Sequence, residues 1–439
     1  MREEDCIQIF KAGVNAVKPN RLIPGYLYWD DEGLVAGNKK FFKDTLNGIY
    51  ILSVGKAAAA IAFEAEKILA DKITAGLVVT KYGHALPLQH CHIIEAGHPV
   101  PDDNSVTASK AIQQFLLPLH QDGLLLCLIS GGASSLIGDI AEGISLGDMQ
   151  ALSKLLLPCG ADIHEINTIR KHISTSKGGQ LLRYTNNANV VSFIISDVLG
   201  DDIGVIASGL TAPDNSTFED ALKVLQKYEL IEKIPASIRD HLNDGSAKKI
   251  TETPKPGDKL FEKVDNNIIA GNSIALHASA AKARDFGYHV EIINSSINGE
   301  AKDEAKKFVD IIQAYNGPKP ACLLMGGETT VTIKGSGKGG RNQEFVLAAL
   351  CELLKENASP EKMPVILSGG TDGSDGPTDA AGAFIDINVI LNMQKLSINP
   401  LHFLQTNNAY NFFKQVDGLL ITGPTQTNVM DIIIGLIHT

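Results

Sequence analysis

Lys56 and Arg341 are the cations whose placement in this sequence points to chemistry. Each opens a helix-like run behind glycine, in Val54-Gly55-Lys56-Ala57 and in Gly339-Gly340-Arg341-Asn342. The helix dipole disfavours a lysine in a first turn, so a ligand-facing cation accounts for Lys56 better than a solvated surface residue. An arginine behind small residues can grip a phosphate or carboxylate through two parallel hydrogen bonds; an ion pair with Glu344 is the competing account. Asp197 follows the apolar run Val190–Ile195, and Asp372 follows Val365–Leu367. Carboxylates so placed hold Mg2+ together with waters and substrate phosphates, or accept a hydroxyl proton. Turn chemistry beside glycine is the alternative. For Asp201, Asp202, Asp375 and Asp379 it is the better reading.

Paired glycines end several apolar runs. Leu124–Ile129 leads into Ser130-Gly131-Gly132, with Ser134 and Ser135 following. Ala321–Met325 leads into Gly326-Gly327-Glu328, and Val365–Leu367 into Ser368-Gly369-Gly370. Glycine lets the backbone approach a ligand closely, and successive N–H groups in such a turn make an anion-binding concavity. Ligands of open α/β sheets bind beyond the carboxyl ends of strands. The pattern implies a phosphorylated or carboxylated small molecule.

Gly335-Ser-Gly337-Lys-Gly339-Gly340 satisfies G-x-G-x-x-G. A dinucleotide site also needs an acidic residue closing a strand about 20 residues later. Here that strand ends in Ser-Gly-Gly, so Gly337, Gly339 and Gly340 read as a mobile phosphate loop instead. A Walker A motif is absent, and Gly132-Ala-Ser134-Ser-Leu136 fails the G-x-S-x-G pattern at its last position. Arg170-Lys171-His172 and Lys177 form a small basic cluster, either an anion site or a solvated helix face.

These residues need a frame that presents strand ends. Strand-like runs at 48–54, 76–80, 92–95, 124–129 and 190–195 alternate with helix-like runs at 57–70, 104–117, 144–157, 162–174 and 217–228. Ser145 with Asp148 reads as a capping box, and Ser216 with Glu219 caps the last of these helices. Such alternation implies βαβ units in a mostly parallel, Rossmann-like sheet with helices on both faces. The Pro- and Gly-containing stretch 248–263 has no period and reads as a boundary. The expected domains are 1–255 and a smaller α/β domain with a mixed sheet at 256–439. A strand at 329–334, a helix at 342–356 and strands at 418–422 and 431–434 are expected there. The tail after about 415 packs on either domain in this reading.

The chain has 439 residues, 44% hydrophobic and 20% charged, which suits two globular domains. A net charge of −11 and the lack of a basic run exclude a nucleic-acid patch while permitting a local anion pocket. The six cysteines form no C-x-x-C pair and read as buried hydrophobes of a reducing compartment. With neither a secretory signal nor an apolar stretch of about 18 residues, a cytoplasmic enzyme is expected, with no membrane partner.

The ordered set of motifs resembles the class II glycerate kinases (glycerate 2-kinases), whose carboxyl-terminal part is the MOFRL domain. It runs through Val54-Gly55-Lys56-Ala57, Gly97-His98-Pro99-Val100-Pro101, Leu128–Ser135, Asn167–His172, Ser196–Asp201, Gly326–Val331, Gly339–Glu344 and Ser368–Gly373. Residues 20–46 match the family pattern poorly. The resemblance implies transfer of the γ-phosphoryl group of ATP to the 2-hydroxyl of D-glycerate, with Mg2+, in a cleft between two α/β domains of a monomer or homodimer. Its essential lysine and arginine fall on Lys56 and Arg341. Such a reaction would use those two cations to offset charge. Asp197 would take the hydroxyl proton or hold metal, with Asp372 a second metal candidate. Ser130, Gly131, Gly132, Ser134, Ser135, Arg170, Gly326, Gly327, Glu328, Gly337, Gly339, Gly340, Gly369, Gly370 and Asp372 would bind substrate or phosphate. The alternatives are an NAD(P)H-dependent hydroxypyruvate reductase, which needs a nicotinamide site at 335–340, and a non-catalytic sugar-acid binding protein.

Overall fold

The computed structural model describes residues 2–355 and 360–438. The last position of the helix expected at 342–356 lies outside the described residues. The chain forms two compact α/β units, Leu22–Ile269 and a second one made of Met1–Arg21 with Ala270–Thr439.

The first unit is built on a six-stranded sheet. Its spatial order is Cys91–Ala96, Ile73–Lys81, Ile49–Val54, Leu124–Ile129, Asn189–Ile195 and Val264–Ala270. The described pairings among the first five are all parallel. The strand order reverses between Ile49–Val54 and Leu124–Ile129, which is the topological switch point of a doubly wound sheet. Every residue of Leu124–Ile129 is buried, as expected when helices cover both faces of a parallel sheet. The helix Asp103–Leu116 packs Ala108, Ile112 and Leu116 into the same core as Leu52, Val54, Leu125 and Cys127. Helices Leu146–Leu156, Ile163–His172, Phe218–Lys227 and Ala236–Ser246 share a separate apolar core.

The expected capping box at Ser145 and Asp148 is present. The one expected at Ser216 is displaced by a residue, to Thr217 with Asp220, because the Ser216 hydroxyl already donates to Asp214. A small antiparallel sheet of Leu27–Trp29, Gly33–Ala36 and Lys39–Phe42 occupies the region that matched no motif.

The second unit has a mixed six-stranded sheet, ordered His289–Ile297, Ala321–Gly327, Asp431–Ile437, Val365–Gly370, Gly382–Ile385 and Leu419–Leu420. Only the first pair is parallel. The tail therefore does not pack on the first unit's sheet. Asp431–Ile437 is inserted between two strands of the second unit and is buried throughout. The compact units also divide at other residues than the 248–263 break. That segment is tied to the first unit, where Asp214 N–H donates to Pro254 O and Thr253 Oγ1 donates to Asp214. Val264–Ala270 then joins the first sheet, while the helix Arg2–Ala16 packs on the second unit's helix Asn272–Asp285. The strand expected at 329–334 reduces to one bridge at Thr330, since Glu300 and Asn407 take the N–H groups of Thr332 and Lys334. Among the described residues no helix is long and apolar enough to cross a membrane.

Ending the chain at Asn428 would remove the inserted strand and leave two strand edges unpaired. Hydrogen exchange should then show Ala321–Gly327 and Val365–Gly370 unprotected while Leu124–Ile129 stays protected. Retained protection in both former neighbours would contradict this topology.

Candidate active site

At the switch point of the first unit two parallel strands end in contact. A methyl group on Gly55 would overlap both the hydroxyl and the backbone of Ser130, and Gly55 holds φ +132°. Only glycine permits that approach without strain. The turn is then pinned on both sides. Ser130 N–H donates to Val54 O (3.0 Å), Lys56 N–H to Gly131 O (2.9 Å) and Ala57 N–H to Ser130 Oγ (3.1 Å). Lys56 is thus fixed at the carboxyl end of the central strand. Among the described residues no carboxylate lies within ion-pair distance of its ammonium.

Gly132 turns the chain with φ +84° into the short helix Ala133–Leu136. The space its missing side chain leaves is bordered by His98 Nε2 at 2.8 Å and Lys56 Cγ at 3.3 Å. Burial, with the charges of Lys56, Lys81 and His84 adding to it, lowers the His98 pKa to about 4. On the other side, the Asp197 carboxylate lies against Gly131, whose Cβ it would overlap. Ser134 Oγ is 2.9 Å from Ser208 Oγ, and the Ser208 hydroxyl donates to Asn167 Oδ1 (2.9 Å). Ser135 donates to Gly132 O (3.1 Å). Ala207 and Ser208 both have left-handed φ, +52° and +55°, a strain of about 1–3 kcal/mol each. That strained turn brings the Ser208 hydroxyl against Ser134 and Asn167, a contact that sequence patterning did not reveal.

Arg170 stands one helical turn from Asn167, on the same face of Ile163–His172. It is half-buried, and burial lowers its pKa with no carboxylate to oppose it. A desolvated guanidinium without an internal partner is an anion receptor in waiting. Its sequence neighbours are different. Lys171 is buried and paired with Asp214 at 3.2 Å; Lys177 is buried and paired with Asp139; His172 bonds Glu252 at 2.9 Å. The basic cluster is therefore neither a solvated face nor a shared anion site. Three of its members hold the fold, and among the described residues no carboxylate pairs with Arg170.

In the second unit, the inserted strand places Asp431 opposite both Gly327 and Gly370. Asp431 accepts from Arg341 Nε (2.6 Å) and Nη2 (2.9 Å), and Nη1 pairs with Glu328 at 2.8 Å. Burial opposes the charged guanidinium, but Asp431 and then Glu328 outweigh it and raise the Arg341 pKa. The partner is thus Asp431, not the nearby Glu344. Nothing local marks Asp431 in the sequence, because its role follows from antiparallel insertion of a distant strand.

The glycines of this unit serve close packing more than open anion binding. Gly326 faces the Asn272 carboxamide, and Gly327, at φ +136°, faces the Ile297 backbone. Gly369 and Gly370 lie within the strand Val365–Gly370, and Gly370 N–H is bonded to Ala381 O. The Gly335–Gly340 loop is clamped, which corrects its reading as a mobile phosphate loop. Asn407 takes the N–H groups of Lys334 and Gly335, Asn408 takes that of Lys338, and Gly337 N–H donates to Thr406 O. Gly337 has no N–H left for a phosphate. Gly340 packs against Asp375, whose carboxylate accepts from the N–H groups of Asn342 and Gln343 at the start of Arg341–Leu354. Burial raises the Asp375 pKa to about 6 despite those bonds. Asp372 accepts from Ser374 N–H (3.0 Å), the turn chemistry of an aspartate beside glycine. Among the described residues no group of three or more His, Cys, Asp or Glu side chains is placed to hold a metal ion.

Residues 5–243 match the family described as Domain of unknown function (DUF4147), and residues 321–431 match the MOFRL family. A Pyrococcus horikoshii protein named glycerate 2-kinase is 39% identical, with 98% of this chain and 96% of that protein covered. A Thermotoga maritima protein named D-glycerate 2-kinase is also 39% identical, over 98% and 97%. A crystal structure of the Thermotoga maritima glycerate kinase (EC 2.7.1.31) superposes with a TM-score of 0.85 at 38% identity, covering 99% of both chains. An Agrobacterium vitis protein with a provisional hydroxypyruvate reductase name is 40% identical over 87% of this chain and 97% of its own.

Asp431→Ala leaves a guanidinium that is only 32% exposed without its buried partner. Urea unfolding should show a loss of about 2–4 kcal/mol; an unchanged midpoint would mean the pair does not orient Arg341. The low His98 pKa has a defined sign. Unfolded histidine binds a proton below about 6.5, and folded His98 does not until about pH 4. Its contribution to stability is therefore present at neutral pH and lost as pH falls through that window. NMR of the ring should show neutral His98 throughout pH 5–8, and a midpoint above 6 would contradict the site's electrostatics.

Proposed function

We propose that this chain, which belongs to the glycerate 2-kinase family, transfers the γ-phosphoryl group of ATP to the 2-hydroxyl of D-glycerate. The observation that carries the reading is Lys56, fixed at the switch point of a doubly wound sheet, where such sheets bind phosphates, with no carboxylate paired to it among the described residues. Phosphoryl transfer needs positioning and charge neutralisation more than covalent help. Lys56 supplies a positive charge for the transferring group. Arg170 binds the glycerate carboxylate, and the Ser134 and Ser208 hydroxyls orient the molecule. Asp197, against Gly131, accepts the proton of the 2-hydroxyl. Asp431 holds the Arg341 guanidinium through two bonds and Glu328 pairs its third nitrogen, which leaves Arg341 the oriented cation of the second unit. Mg2+ would enter with the nucleotide phosphates, since magnesium keeps waters and substrate oxygens and needs few protein carboxylates. When bound it would neutralise phosphate charge. We assign the protein to the cytoplasm, as a monomer or homodimer.

The reductase alternative is not favoured. It requires backbone N–H groups at 335–340 for a nicotinamide dinucleotide, and the loop's own partners at 406–408 occupy those of Gly335, Gly337 and Lys338. In a coupled assay with ATP and D-glycerate, Lys56→Ala and Arg341→Ala should each lower kcat by roughly three orders of magnitude, within the range lost with a single transition-state donor, with unchanged circular dichroism. Near-wild-type turnover in either variant would remove that residue from the mechanism. Oxidation of NADH by hydroxypyruvate without ATP-dependent turnover of glycerate would sink the kinase reading as a whole.

A further inference from the structure

Next to Lys56, two neighbouring strands also end in basic residues. Ile73–Lys81 closes on Lys81, with His84 in the turn beyond, and Cys91–Ala96 leads through Gly97 to His98. The three strands are adjacent in the sheet. His84 Nδ1 donates to Lys56 O at 3.1 Å, so the Lys81 turn is tied to the Lys56 turn. The fields of Lys56, Lys81 and His84 all reach His98.

The carboxylates of this edge are engaged by neutral donors and form no ion pair with its lysines among the described residues. Glu95 accepts from Gly83 N–H (2.7 Å). Asp102 accepts from Tyr82 Oη (2.7 Å), Gly97 N–H (3.1 Å) and Ser105 N–H (3.0 Å). Asp197 lies on the far side of the switch point, against Gly131. Among the described residues neither Lys56 nor Lys81 has a carboxylate within ion-pair distance. Elsewhere in this unit, buried lysines are paired: Lys171 with Asp214 and Lys177 with Asp139. An edge that leaves two ammonium groups unpaired, in a chain of net charge −11, favours an anionic occupant.

We propose that Lys81, with Lys56 and the His98 imidazole, grips the triphosphate of the nucleotide along this edge. Neighbouring strands lie about 4.8 Å apart, so three strand ends span about 10 Å. That reach suits a chain of phosphates carrying several charges and exceeds what the single carboxylate of a three-carbon acid needs. Arg170, across the switch point beside Asn167, answers that carboxylate. The inference deepens the kinase reading and rests on it: nucleotide on the Cys91–Val54 side of the sheet's reversal, acceptor on the other.

Full-length wild type, Lys81→Gln and Lys81→Arg test it, with inorganic tripolyphosphate as the binding probe and steady-state kinetics in ATP and D-glycerate. Lys81→Gln should weaken tripolyphosphate and raise the KM for ATP roughly tenfold, the worth of one charge-assisted contact. The KM for D-glycerate should stay unchanged, and Lys81→Arg should restore most of the loss. Tripolyphosphate should also move the His98 ring resonances. Unaltered tripolyphosphate and ATP constants in a folded Lys81→Gln protein would overturn the grip while leaving the kinase reading intact, as would a change confined to D-glycerate. Lys81-dependent tripolyphosphate binding by a wild type that does not phosphorylate D-glycerate would support the grip and overturn the kinase reading.

Discussion

Gly55 meets Ser130 with no room for a single methyl group, and the chemistry of the first unit depends on that contact. Two parallel strands that end side by side normally diverge into their helices. Here the missing Cβ lets both turns interlock through three hydrogen bonds. Lys56 therefore leaves the sheet at a fixed point, Gly132 opens the space beside it, and Asp197 borders Gly131 from the neighbouring strand. A larger residue at position 55 would displace the Lys56 turn and the Ser130 turn together.

The second unit solves a related problem with an ion pair instead of a glycine contact. A guanidinium at the start of a helix is poorly placed electrostatically, and burial works against it. Asp431, 2% exposed, answers both effects through two bonds. It can do so because an antiparallel strand starts where its two neighbours end. The helix N-terminus that would otherwise draw an anion is occupied by Asp375. What this unit offers a ligand is thus an oriented arginine rather than a bare glycine loop.

Much of this was legible in sequence where the signal is local. Strand ends at Gly55, Ser130 and Asp197, the Ser145 capping box and the two unusual cations all follow from neighbours within a few positions. Partners distant in the chain were not legible. Thr406–Asn408 turns an apparent phosphate loop into a clamped one, Asp214 and Asp139 turn Lys171 and Lys177 into structural residues, and Asp431 replaces Glu344 beside Arg341. Ser208 was hidden for a different reason: its strain is a property of φ, which composition does not report. The Gly-x-Gly-x-x-Gly match misled because glycines needed for packing are indistinguishable in sequence from glycines needed for a ligand.

The central claim is that a carboxylate-holding arginine and a phosphate-holding lysine serve transfer to the middle carbon's hydroxyl. The most direct measurement is the position of phosphorylation, read by phosphorus–proton correlation NMR on the product formed from ATP and D-glycerate. The account predicts coupling of phosphorus to the C2 proton alone, as in 2-phosphoglycerate. Coupling to the C3 protons, or no phosphorylated product from an otherwise folded protein, would contradict it.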